Sequence, residues 1–416
     1  MIRQLLSSRN YAFLVSGQTI SQIGNAFYPL AIYWLTYSLT HSQAALGYLA
    51  TAISLTSLAG MFAGVLVDRW DRRRTMIWVD VARMAMTGAL ALLVFWNDVS
   101  LVLIIAYALV LGLLASLFSP AQVSLLPNVV RPDELSAAIG LNQGSSAGAG
   151  LIGTSLGGML LGLFGAWALM LLDAASFLVS FVSVALVRLP RSATQPHQPD
   201  HVAHHGVASP RYVDELRAGL AYLGRRPFFR RLIPVSMILN FAFMPLNVLD
   251  VVWVRRVLHL GAFFYGLFGA FMVVGVILGS LSIGAVQRRF THRQILVGAL
   301  ACLALGYMAF SRLPYLVPDL VILLVLGLVM GVVNPVVQAL FQRAVPQEFM
   351  GRATGALSSL VLSVAPLGAL LAGLAAETVP LNLVFLAGGL LMLATVPLAL
   401  RLPTETAGDG TTPVMT

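Results

Sequence analysis

The chain contains no lysine and one cysteine, and only 10% of its 416 residues are charged. Each shortage excludes a class of chemistry. A P-loop needs a lysine to reach the phosphates of its nucleotide, so this chain hydrolyses no ATP through such a site of its own. Cys302 alone allows neither a disulfide within the chain nor a cysteine-held metal centre. No nucleophile–base pair and no metal-ligand spacing stands in the apolar stretches, so neither an enzymatic activity nor a cofactor is expected. What is abundant is apolar: 58% of residues are hydrophobic and the mean hydropathy is +0.87. Soluble domains are roughly 45–50% apolar and about 25% charged. A chain this apolar cannot cover its surface in water and belongs in a bilayer.

A membrane-crossing helix needs about 20 apolar residues. Twelve windows meet that length, at about 11–36, 43–67, 75–96, 100–126, 138–164, 167–188, 230–254, 262–286, 293–311, 317–340, 353–376 and 381–401. The expected fold is an all-α membrane protein of twelve spans. The first apolar run carries Gln18, Gln22 and Asn25 and is too long for a signal peptide. All 25 basic residues are arginine. With the N-terminus inside, Arg255, Arg256 and Arg312 fall outside, Arg83 falls within a span, and the rest are cytoplasmic. The opposite orientation inverts this bias, so both termini are expected in the cytoplasm and the chain in the inner (plasma) membrane. The net charge of +9 then reflects topology and contact with anionic lipid. No soluble basic domain stands apart to bind nucleic acid.

The chain repeats itself. FYPL at residues 27–30 recurs as FMPL at 243–246, an offset of 216, and Gly112 with Ser119-Pro120 recurs as Gly327 with Asn334-Pro335, an offset of 215. The charged stretch GVLVDRWDRRR, residues 64–74, aligns at offset 220 with GAVQRRFTHRQ from Gly284. Gly64, Arg69 and Arg73 have counterparts there; both aspartates are lost. Markers in order at nearly constant offset indicate two six-span halves. An even number of spans per half gives both the same orientation, with a substrate site between them near the midplane. The expected units are a first bundle at 1–188, a cytoplasmic linker at 189–229, a second bundle at 230–401 and a cytoplasmic tail at 402–416.

At this point the chain resembles a known family. GVLVDRWDRRR is similar to the loop signature between spans 2 and 3 of the major facilitator superfamily. GQTISQIGNAFYPLAIYWLTYSLT, SPAQVSLLPNVVRPDELSAAIGLNQ and LDAASF resemble the branch of drug and siderophore exporters that includes macrolide efflux pumps and enterobactin exporters. The resemblance implies export of a small amphipathic molecule by a monomer, driven by proton antiport, with membrane lipid around it. It also implies a gate built on Gly64, Asp68, Arg69, Arg72 and Arg73, with Asp68 touching the start of span 11. A siderophore exporter is the alternative within the fold; a receptor or scaffold that transports nothing is the alternative outside it. One motif departs from the family. Its Gly-Pro-x-x-Gly-Gly stretch in span 5 reads Gly153-Thr-Ser-Leu-Gly157-Gly158 here. Without the proline the helix keeps a backbone hydrogen bond, while the three glycines still allow close helix packing.

Polar residues inside a bilayer are costly and turn inward. Gln18, Ser21, Gln22 and Asn25 share one face of span 1, and Asn240, Met244 and Asn247 share one face of span 7. Both are read as the substrate-lining surface, since amide and methionine side chains among aromatics suit amphipathic ligands. A carboxylate within a span is a candidate proton carrier, and Asp173 and Asp250 are the two chosen. Asp80 stands three residues before Arg83 and is read as its structural ion partner, placed with the gate. Glu377 is read as an exposed loop residue. In the linker, Val213, Leu216, Leu220 and Leu223 with the nearby arginines suggest an amphipathic helix on the inner membrane surface. His197, His201, His204 and His205 lie in a Pro-rich stretch without the supporting groups a metal site needs.

Overall fold

The computed structural model describes residues 5, 8–60, 70–187 and 210–401. Within them the first six-helix half comprises α1 (Arg9–Thr40), α2 (Gln43–Ala59), α3 (Arg72–Phe95), α4 (Leu101–Leu125), α5 (Leu135–Phe164) and α6 (Ala166–Leu186). Helix α7 (Pro210–Arg225) follows. The second half comprises α8 (Pro227–Val252), α9 (Ala262–Arg289), α10 (His292–Arg312), α11 (Leu316–Ala344), α12 (Met350–Ser363), α13 (Ala365–Thr378), α14 (Leu381–Leu393) and α15 (Val396–Leu400). Among the described residues ten helical stretches are long and apolar enough to cross a membrane, and α2 is a shorter apolar helix. Helix α1 is long enough at 32 residues, but its polar face and tyrosines dilute its hydropathy.

Local chemistry sets the boundaries. Ser42, Asp71, Ser100 and Thr291 each accept a hydrogen bond from a first-turn backbone N–H and so start α2, α3, α4 and α10. Asp71 and Thr291 stand at the repeat offset of 220, so the two halves begin equivalent helices with equivalent caps. Gly165, at φ +82°, divides α5 from α6 in a conformation that a Cβ would strain. Two windows expected to be continuous are each interrupted. The helix breaks at Val364, just before Pro366, and at Ala394–Thr395, just before Pro397, because a proline supplies no backbone N–H to the turn behind it.

The packing repeats with the sequence. In the first half α1 packs on α5 and α6, α3 on α4 and α6, and α2 on α4. In the second half α8 packs on α13 and α14, α10 on α11 and α14, and α9 on α11. The halves meet through α2 against α13 and α5 against α9, two contacts that the repeat exchanges. Helix α7 stands where an amphipathic helix was expected, and it packs on protein as well. Its Gly219 closes on the Arg352 backbone of α12, Tyr222 donates to the Ala344 carbonyl at 3.3 Å and stacks on Phe349, and Leu223 is buried. A protein surface thus covers part of the apolar face that the sequence assigned to the membrane. The linker histidines lie outside the described residues.

Candidate functional site

Each half holds a cavity of about 520 Å³. The one in the second half is walled by α8, α10, α11 and α12. Asn240, Met244 and Asn247 of α8 all line it, joined by Asn334 and Gln338 of α11. Their α8 spacing turns the two amides and the methionine to one side, and Pro234 and Pro245 lie inside the same helix. Among the described residues no charged side chain lines this cavity; amides and apolar side chains alternate around it. The cavity in the first half is bounded by α1, α2, α3, α4 and α6, with Asn25, Tyr28, Ser116, Ser119 and Arg83 among its lining.

The polar face of α1 is divided. Asn25 is exposed and lines the first-half cavity, and Gln22 is half-buried. Ser21 is buried. Gln18 is also buried, and it leaves the expected cavity wall: its amide donates to Ser180 Oγ of α6 at 3.0 Å, and Ser180 donates to Asp80 Oδ2 of α3 at 2.6 Å. This chain ties three helices together, which uses the hydrogen-bonding capacity of Gln18 for packing.

The expected Asp80–Arg83 ion pair is not formed. Among the described residues the one ion pair within 4.0 Å joins Arg131 and Asp133. Ser180 captures one oxygen of Asp80, while Arg83 lies over the rings of Phe118 and Phe177, 5.0 and 5.5 Å from their centroids. The i, i+3 spacing allowed the pair, but partners on neighbouring helices took both groups. Asp173 is buried on α6 beside Gly24 of α1; Ser176 donates to its Oδ1 at 3.5 Å, and its Oδ2 has no partner among the described residues. Asp250 is half-buried near the end of α8, where its Oδ1 accepts from the Val251 backbone N–H at 2.7 Å.

Of the expected gate, Gly64, Asp68 and Arg69 lie outside the described residues. Arg72 opens α3. Arg73 reaches across to the end of α6, donating to the Val184 and Ala185 carbonyls at 3.2 and 2.5 Å. Those carbonyls belong to the last turn of a helix, where a cation is favoured. The three glycines of α5 work in two directions. Gly153 and Gly157 face α1, while a Cβ on Gly158 would sit 2.5 Å from the Cα of Gly266 in α9.

Three charged groups have partners that the sequence reading did not assign. Asp319 of α11 is fully buried and accepts from the Trp253 indole N–H at 2.8 Å. Glu377 stands in the last turn of α13 instead of a loop, and accepts from Ser42 Oγ and from the Ala44 backbone N–H at 2.9 Å. It so bridges the second half to the start of α2. Arg255 reaches the first half as well, donating to Ser38 Oγ. The halves are therefore latched at the Thr40 end of the bundle, remote from the arginine-rich helix ends.

Two like bundles of membrane-length helices, related by a parallel repeat and each holding a cavity, define a transporter fold. The profile of the Major Facilitator Superfamily matches residues 14–369, and the chain belongs to that family. Macrolide efflux protein A of Streptococcus pyogenes is 22% identical over 388 residues, covering 91% of this chain and 92% of that protein. The multidrug efflux pump Tap of Mycobacterium tuberculosis (strain ATCC 25618 / H37Rv) is 26% identical over 411 residues, covering 95% of this chain and 94% of that protein. Among solved structures, the nucleoside transporter NupG superposes with a TM-score of 0.73 at 12% identity, covering 94% of this chain and 99% of that one. A bacterial homologue of the iron transporter ferroportin, in an inward-facing state, gives 0.68 at 17% identity, covering 95% and 99%.

Proposed function

We propose that the chain is a secondary active exporter of small amphipathic compounds, driven by proton antiport, with both termini and the arginine-rich helix ends in the cytoplasm. Its halves rock against each other to give alternating access. The observation that carries this reading is the pair of cavities of about equal volume, one in each half, in a bundle latched at the Thr40 end. The amide-and-methionine lining of the second-half cavity suits ligands with an apolar body and a few polar groups. Asn25, Gln22, Asn240, Met244 and Asn247 are the residues assigned to substrate. Asp173 and Asp250 are assigned to the proton. Both are carboxylates in spans with no arginine within 4.0 Å among the described residues, so a proton can come and go without an ion pair being broken. The names of the efflux relatives favour the same direction of transport.

Inside-out vesicles from a pump-deficient host test the reading. An imposed proton gradient, acid inside, should drive accumulation of amphipathic dyes or a macrolide, and a protonophore should abolish it. If no compound in a broad panel accumulates beyond vesicles lacking the protein, the reading fails.

A further inference from the structure

Among the described residues, Arg83 is the one charged side chain lining the first-half cavity. It is 5% exposed, and its Nε finds no hydrogen-bond partner. A guanidinium withdrawn from water normally holds a carboxylate, because an unpaired buried charge is costly. Here no carboxylate comes within 4.0 Å among the described residues. The rings of Phe118 and Phe177 hold the group in place and offset part of that cost.

The nearby acids make their hydrogen bonds elsewhere, each keeping one buried oxygen without a partner among the described residues. Asp80 is committed to Ser180 and, through it, to Gln18. Asp173 packs against Gly24 and Ser176. Neither lines the cavity. The negative groups therefore occupy the helix contacts, and the positive group occupies the cavity wall. The repeat sharpens the point. At the offset of 220 that pairs the caps Asp71 and Thr291, the counterpart of Arg83 is Leu303, which lines the uncharged second-half cavity. A helix-packing role common to both halves would not leave the charge in one alone.

We infer that Arg83 receives the anionic group of an amphipathic substrate, a carboxylate, sulfonate or phosphate, whose apolar body lies toward the amide-lined wall of the second half. Ser116, Ser119 and Asn25 supply further polar groups on the same cavity wall. This rests on the exporter reading and specifies its substrate class.

The test uses three fluorescent probes that share one dansyl-undecyl body and end in a carboxylate, a primary amide or a trimethylammonium group. Binding is measured on the full-length purified chain in nanodiscs of zwitterionic lipid. The carboxylate should bind about tenfold to a hundredfold more tightly than the amide, the range expected for a charge-assisted hydrogen bond. Arg83→Gln should erase that preference, and Arg83→Lys should retain much of it. Equal affinity for the three probes on the unaltered chain overturns the inference, as does a preference for the ammonium; neither outcome needs a variant to fold. Loss of the carboxylate preference when phosphatidylglycerol is added to the nanodiscs overturns it in favour of a lipid headgroup. Vesicles that transport all three probes without regard to charge keep the exporter reading and remove this one, whereas a chain that neither binds nor transports any probe counts against both.

Discussion

Arg255, on the turn that ends α8, donates to Ser38 Oγ of α1 at 2.7 Å and lies over Trp34 and Tyr37, 4.7 and 5.4 Å from their centroids. One cation thus joins the two halves by a hydrogen bond and by two aromatic faces. Arg256 adds a bond to the His41 carbonyl at 3.3 Å, and Glu377 adds its bonds to Ser42 and Ala44. These contacts must all part if the bundle is to open at the Thr40 end.

We expect Arg255→Ala to shift the population toward the form open at that end. A charge-assisted hydrogen bond contributes about 1.5–3 kcal/mol, and solvent screening of the half-buried guanidinium reduces this. The ratio of open to closed forms should therefore change several-fold, and by no more than about a hundredfold. Spin labels at Leu39 and Val379, on a Cys302→Ala background, read the distance between the halves. An unchanged distance distribution would mean that Arg256, Glu377 and the helix packing keep this end shut without Arg255.

The seam between α5 and α9 makes a sharper comparison. A Cβ at Gly158 would meet the Gly266 Cα at 2.5 Å, whereas a Cβ at Gly162, one turn on, would find Phe263 N at 3.5 Å, an ordinary contact. Gly158→Ala should cost about 1–3 kcal/mol, as overpacking usually does, and Gly162→Ala should be close to neutral. Thermal unfolding of the two purified variants measures the difference. Equal melting temperatures would show that the helices separate freely at this crossing.

Asp319 and Trp253 form a buried pair in the second half. Trp253→Phe removes the indole donor, and Asp319, whose Oδ1 already lacks a partner, would be left with neither oxygen bonded. We expect a loss of about 1–3 kcal/mol in stability. Asp319→Asn keeps an acceptor oxygen for the indole, so its cost should be smaller and gradient-driven transport should persist. Loss of coupling in Asp319→Asn with normal stability would instead make this carboxylate a proton carrier.

How much of this was legible in the sequence depended on distance along the chain. The spans, the repeat and the glycine motif are carried by local composition, and the amides of α8 that share a cavity are carried by helical spacing. The division of the α1 face was hidden, because it depends on Ser180, which is 162 residues from Gln18. The Asp80–Arg83 pair misled for the opposite reason: i, i+3 spacing is visible, but Ser180 and two phenylalanines on other helices are not. Glu377 looked like a loop residue because its partner, the start of α2, is more than 330 residues away. Asp319, near the start of an apolar window, drew no assignment, because its donor Trp253 stands on the turn that ends α8, 66 residues away.

Proton coupling gives the last prediction. An antiporter needs a group that takes up a proton on one side, releases it on the other, and senses substrate in between. Asp173 fits by position: it is buried in α6 against Gly24 of α1, the helix whose next residue, Asn25, lines the first-half cavity. Asp250 fits by a different route, on α8 one turn beyond Asn247 in the second-half cavity. Replacing either by asparagine keeps the shape and one acceptor oxygen and removes the titrating group. Asp173→Asn and Asp250→Asn should therefore bind a dye with affinity within about threefold of the unaltered chain, since a neutral amide forfeits about one ordinary hydrogen bond at most. Gradient-driven accumulation in inside-out vesicles should fall much further, by about tenfold or more in at least one of them. Downhill exchange without a gradient should persist, because it requires rocking but no proton transfer. If both variants accumulate dye as the unaltered chain does, neither carboxylate couples. Asp80 then becomes the candidate, since it is buried, keeps one oxygen unpartnered among the described residues, and stands one turn before Arg83 on α3.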